Sequence, residues 1–404
     1  MSRLGTAISV VRKKGVPALL ARVGERLTAL TGKPPSLVHY DDALAVDWSR
    51  PHPAVVDPIR VGEGPLTVAW IMSPPGESSG GHQNLYRFID YLERAGHRVK
   101  IYLYSVRNTS TAAEIMAMTA RSSSYPQLKA SVEWYTGAGV SADVDAIFAT
   151  GWETAYPAFR DASSARRFYF VQDFEPYFYP VGSDYVLAEN TYRFGFTGIT
   201  AGGWLAGKLS REYGMPTSSF DFGADRNNYS LTNVERRAEV FFYARPVTER
   251  RGFELGVMAL DLLARERPDL RINIAGWDVS RFGLPFVFNN LGSLAVAELN
   301  AVYNRCAAAL VLSMTNMSLL PLELLASGVI PVVNDGPNNT EVSSNPFIEY
   351  APASPRALAD RMMAVVDRVD QPAHAHAASD SVADADWDAS GAKFVSTFER
   401  AMRG

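Results

Sequence analysis

Residues 313–335 read SMTNMSLLPLELLASGVIPVVND, and the pattern of this stretch decides the fold. The apolar run that leads into it, residues 307–312 (AAALVL), and the run 329–333 near its end both predict buried parallel strands. Between them lie a small polar loop, TNMS, and residues 319–326 (LLPLELLA), spaced as a helix and stopped by Gly328. Such a strand–loop–helix–strand unit is the building block of a doubly wound α/β domain. It carries one carboxylate, Glu323, among leucines, where a charge is expensive unless it meets a donor. The helix start beside it offers unpaired N–H groups and a partial positive charge, which suit a phosphate. The stretch therefore predicts a site for a phosphorylated nucleotide, with Glu323 accepting from ribose hydroxyls. A partly exposed Glu on an ordinary amphipathic helix is the competing reading of the same spacing.

Working toward the N-terminus, the same unit recurs. Residues 66–72 (LTVAWIM) read as a strand, PPGESSGGHQ as a loop, 84–95 as a helix ended by Gly96, and 99–104 as the next strand. Gly80 and Gly81 stand at the strand's C-terminal end, where open α/β sheets bind ligands and where glycine lets a backbone approach closely. The GxGxxG dinucleotide fingerprint is absent. Further strands at 146–150, 167–171 and 196–200 each run into a polar or aromatic loop. The most charged of these, QDFEPY, begins at Gln172 and makes Asp173 the first candidate for a base or an orienting acceptor. Glu175 and His82 are the second and third candidates, against a bland reading in which Asp173 only caps a turn.

A second domain opens at 240–244 (VFFYA), followed by RPVTERRG and a helix over 253–265. Arg245 and Arg251 offer two guanidinium forks at a strand end, unless they pair with Glu249 and Glu254 at the surface. The expected domains are 66–232 and 233–383, preceded by an extension and proline-rich connector (1–65) and closed by a helix (384–404) that packs back on the first. At 404 residues two cores are expected, and a formal charge of -4 excludes a general nucleic-acid binder. The single Cys306 fits a reducing, cytoplasmic setting and excludes an internal disulfide. His374 and His376 fall in an Ala-rich stretch expected to be a solvated loop, not a metal site. Residues 1–33 are basic with an apolar face, as suits either peripheral contact with an anionic membrane or packing on the protein itself.

The 313–335 stretch resembles the signature of glycosyltransferase family 4, in which two glutamates flank seven residues before Ala, a small residue and Gly. Glu323 matches the second glutamate, and Thr315 stands at the first. The TNMSLLPLE wording is similar to bacterial rhamnosyltransferases of the WsaF type. That resemblance implies a GT-B fold, two Rossmann-like doubly wound α/β domains facing a cleft. It implies a donor site made of Gly80, Gly81, Arg245, Arg251, Asn290, Leu291, Thr315, Asn316, Ser318, Leu319, Leu320 and Glu323. It further implies transfer of a deoxyhexose, rhamnose from dTDP-rhamnose, to a glycan or lipid-linked acceptor, with no cofactor or metal. A UDP- or GDP-hexose donor is the alternative within the fold. A non-catalytic carbohydrate-binding or scaffold protein of the same fold is another, and a metal-dependent transferase using Asp143 and Asp145 is the reading from outside it.

Overall fold

The computed structural model describes residues 36–52, 64–77, 79–107, 110–317 and 319–403. The basic segment 1–33 and Ser318 lie outside the described residues. Thirteen strands form two sheets among these residues, and every pairing is parallel. The first sheet holds β1 (Thr67–Met72), β2 (Arg98–Leu103), β3 (Ser131–Trp134), β4 (Ala146–Ala149), β5 (Arg166–Val171), β6 (Thr197–Ala201) and β7 (Thr217–Phe220). Its spatial order is 3-2-1-4-5-6-7. The second holds β8 (Glu239–Tyr243), β9 (Arg271–Ala275), β10 (Asn289–Gly292), β11 (Cys306–Val311), β12 (Ile330–Asn334) and β13 (Glu349–Ala351), in the order 10-9-8-11-12-13.

Both sheets thus have one winding. The chain steps outward across two neighbours, then returns to the far side of its first strand. β1, β4, β11 and β12 are buried along their whole length, as parallel strands covered on both faces must be. The reversals fall between β1 and β4 in the first sheet and between β8 and β11 in the second. Crevices at the C-terminal ends of such strand pairs are where doubly wound folds take ligands. The expected α/β class with two Rossmann-like sheets is borne out.

Each sheet has its own core, and the C-terminal helix Trp387–Arg403 belongs to the first: Phe394, Phe398 and Met402 are buried in that cluster. It lies so close to helix Gly80–Arg94 that a Cβ on Gly391 would meet the Tyr91 ring at 2.4 Å. Three local expectations are corrected. Helix Gly80–Arg94 begins four residues early, taking Gly80, Gly81 and His82 out of the loop. Residues 371–380 form a helix, because Pro372 can open one and the Ala-rich run favours continuing it. His374 and His376 therefore sit on that helix, His376 facing Asp380 at 3.2 Å. The helix carrying Glu323, Leu320–Ala326, falls within one residue of the 319–326 expected. The connector also contains an ordered turn of helix, Tyr40–Ala45, whose Asp42 accepts from the Tyr104 hydroxyl at 2.7 Å.

Candidate active site

Three arginines converge where β8 ends. Arg251 donates through Nη1 to Ser313 Oγ at 2.8 Å, and Arg245 lies over the Tyr243 ring with its guanidinium carbon 6.0 Å from the centroid. Arg250 stacks on Phe178 at 3.9 Å. Burial holds the Arg251 guanidinium below its ordinary pKa; the charge of Asp173 opposes that, and Arg250 and Arg245 add to it. Among the described residues neither Arg245 nor Arg251 forms an ion pair, so pairing with Glu249 or Glu254 does not account for them. Arg250 was not singled out in the sequence, because the strand-end pattern drew attention to its neighbours.

The loop that faces these arginines, residues 313–317, is held by three asparagines that no spacing rule marks. Asn334, Asn338 and Asn339 each donate a side-chain amide to Ser313 O, at 3.0, 3.0 and 3.1 Å. Asn334 Oδ1 accepts from Ser313 N at 2.8 Å, and Asn338 also donates to Thr315 O. Met317 N donates to Asn338 O at 3.0 Å. The loop is polar yet largely buried, and these amides satisfy its backbone where water does not reach.

Glu323 follows on the short helix, with Leu319 and Leu320 at its start. Burial pushes its carboxyl up to about 7; the Arg87 guanidinium lowers it, Asp225 raises it, and polar contact with the Tyr229 hydroxyl lowers it. Arg87 comes from the first domain, so Glu323 faces the cleft. Tyr229 stacks on Tyr303 with centroids 5.7 Å apart, which backs the glutamate with rings. Asn290 and Leu291 come from a different strand. They lie on β10, two strands from β8, where Asn290 donates to Asp278 Oδ1 at 2.6 Å and accepts from Val279 N at 3.4 Å.

In the first domain, Asp173 reaches across to the second. Its Oδ2 accepts from Thr315 Oγ1 at 2.9 Å, and its Oδ1 accepts from Asn316 N at 2.8 Å and from Phe174 N at 2.9 Å. Arg250 Nε lies 3.6 Å away. Asn316 Nδ2 adds bonds to Gln172 O and Ala201 O, at 3.1 and 2.9 Å. Both oxygens of Asp173, the first candidate base, thus accept from donors here. His82 is likewise engaged, with Nε2 2.9 Å from Ser73 O and Nδ1 2.8 Å from Ser79 Oγ. Donation to the Ser73 carbonyl fixes the neutral tautomer, and burial lowers the ring's pKa. Here His82 staples the helix start. Gly80 and Gly81 occupy that first turn, Gly81 O accepting from Gln172 Nε2 at 3.2 Å.

Glu175 is buried and accepts from Trp152 N at 2.6 Å. Burial raises its pKa well above the ordinary value, and the charge of Glu153 raises it further. Glu153, in the first turn of the helix Trp152–Arg160 that follows β4 beside the reversal, was missed in the sequence. It is half-buried, and burial pushes its carboxyl up. GWET gave no signal beyond the strand before it. The Asp143–Val–Asp145 pair is divided: Asp143 accepts from Lys100 at 2.7 Å, while Asp145 accepts from Thr67 N at 2.7 Å. No group of three or more potential metal ligands comes together among the described residues. No helix among them is long and apolar enough to cross a membrane.

Comparison with known proteins places this geometry. The model of the WsaF C-terminal domain matches residues 238–363, and that of the WsaF N-terminal domain matches residues 133–201. The chain thus resembles WsaF in both of its sheets. The WsaF matches take in β8, β11, the 313–317 loop and Glu323 on one side, and β4, β5 and Asp173 on the other. An O-antigen biosynthesis protein RfbC of Myxococcus xanthus is 32% identical over 297 residues. That alignment takes in 71% of this chain but 23% of the relative, so the chain spans about a quarter of that protein's length. Two solved structures share the fold. Sucrose-phosphate synthase of Thermosynechococcus elongatus superposes with a TM-score of 0.65 at 11% identity, covering 83% of this chain and 99% of that one. Anabaena HepE in complex with UDP and glucose gives 0.63 at 15% identity, covering 83% and 100%.

Proposed function

We propose that this chain is a glycosyltransferase that moves a sugar from a nucleoside diphosphate to a hydroxyl of a glycan or lipid-linked acceptor, in the assembly of a surface polysaccharide. The convergence of Arg245, Arg250 and Arg251 on one strand end, with Asp173 as the nearby anion, carries this reading. Such a cluster matches the charge of a diphosphate leaving group. The WsaF relationship, the O-antigen role named for the Myxococcus relative and the UDP bound in HepE support the same class.

In this reading Arg245 and Arg251 hold the diphosphate, and Glu323 accepts from ribose hydroxyls. The acceptor oxygen forms its bond to the anomeric carbon as the bond to phosphate breaks, and the hydroxyl proton passes to a first-domain carboxylate. We assign that carboxylate to Glu153, which accepts from its own backbone N–H, whereas both oxygens of Asp173 are held by the second domain. The leaving charge is met by arginine, so no metal is required. The WsaF resemblance favours dTDP-rhamnose as donor. The test is transfer from dTDP-rhamnose, UDP-glucose and GDP-mannose to an acceptor panel in EDTA. Rhamnose transfer is expected; transfer of only another sugar replaces the donor, and activity that needs Mn²⁺ removes the metal-free mechanism.

A further inference from the structure

One continuous path of hydrogen bonds leads from the first domain to the arginine cluster of the second. Asp173 Oδ1 accepts from Asn316 N at 2.8 Å. The carbonyl of the same residue accepts from Ser313 Oγ at 2.7 Å. Ser313 Oγ in turn accepts from Arg251 Nη1 at 2.8 Å. Asp173 and Ser313 are both buried, so water cannot replace either group in the path. The loop between them does not absorb motion, because Asn334, Asn338 and Asn339 all grip Ser313 O. A second set of bonds, from Asn316 Nδ2 to Gln172 O and Ala201 O, seats the same loop on the ends of β5 and β6.

We infer that Asp173 is a positioning residue: contact between the two domains sets the orientation of Arg251 through Asn316 and Ser313. Diphosphate binding is then linked to domain closure. A nucleotide held by Arg251 favours the closed arrangement, and an opened clasp frees Asn316, so the Ser313 hydroxyl loses its fixed acceptor and no longer orients Arg251. Asp173 does this without touching the nucleotide. The inference rests on the proposed role of Arg251 at the diphosphate.

The experiment is a double-mutant cycle on dTDP and UDP affinity, measured by calorimetry at 25 °C on the full chain. The variants are Asp173→Asn, Ser313→Ala and their combination, with Arg251→Ala alongside. Thr315→Val, which removes the hydroxyl that donates to Asp173, repeats the cycle should Asp173→Asn fold poorly. Each single variant is expected to weaken the nucleotide about tenfold, and the double variant no more than the weaker-binding single. Independent, merely structural effects would multiply to about a hundredfold and overturn the relay. So would an Asp173→Asn variant and a Thr315→Val variant that both bind as tightly as the wild type. Arg251→Ala with unchanged affinity would instead remove the diphosphate reading on which the relay stands.

Discussion

The carboxylates of Glu153 and Glu175 close over Gly151: a Cβ built on that glycine would lie 3.0 Å from Glu153 Oε2 and 3.8 Å from Glu175 Oε2. Burial raises the pKa of both, and the charge of Glu153 adds to the rise at Glu175. A base of this kind works only once it has lost its proton. Transfer should therefore increase as pH rises above the ordinary carboxylate range and level off once Glu153 is ionised. Glu153→Gln is expected to slow turnover about a hundredfold, keep nucleotide affinity and lose that acidic limb. A pH profile of initial rates checks this, and an unchanged limb would pass the role to another group.

Glu323 sets a stability window. Its folded pKa is raised to about 7, above the 4.5 ordinary for a glutamate. Below pH 4.5 the carboxyl is protonated in both folded and unfolded chains. Between about 4.5 and 7 the unfolded chain gives up the proton while the folded chain keeps it, so stability falls as pH rises. Relative to Glu323→Gln, the wild type should lose on the order of 2–3 kcal/mol across that range. Paired denaturation curves at pH 4.5, 6 and 7.5 measure it; parallel stabilities would place Glu323 in water.

Gly391 tests how firmly the C-terminal helix is seated. The Tyr91 ring leaves no room for even one methyl there. Gly391→Ala should cost about 1–3 kcal/mol through overpacking, even though alanine is the better helix former. Thermal unfolding reads the loss directly. A melting temperature equal to or above that of the wild type would mean the two helices do not pack this closely.

Much of this was legible in the residues. Buried strands are apolar runs, and their glycine-stopped helices repeat, so two parallel sheets could be read before any contact was known. Glu323 stood out because a carboxylate among leucines is costly. Asp173 was found by its position at the end of β5. Its partners were not, since Thr315 lies 142 residues away and only tertiary folding joins them. Asn334, Asn338 and Asn339 carry no periodic signal; their value is visible only once the buried carbonyl of Ser313 needs donors. The early start of helix Gly80–Arg94 was hidden because two glycines argue against a helix, whereas His82 bound to Ser73 and Ser79 holds that turn.

The central claim is that the arginines at the end of β8 bind the diphosphate of a nucleotide sugar. Calorimetric titration of dTDP-rhamnose, UDP-glucose and GDP-mannose into the wild type and Arg251→Ala tests it most directly. At least one nucleotide sugar should bind the wild type and bind Arg251→Ala more weakly by about 2–4 kcal/mol. Equal affinity in both proteins, or no binding of any of the three to the wild type, would contradict the account.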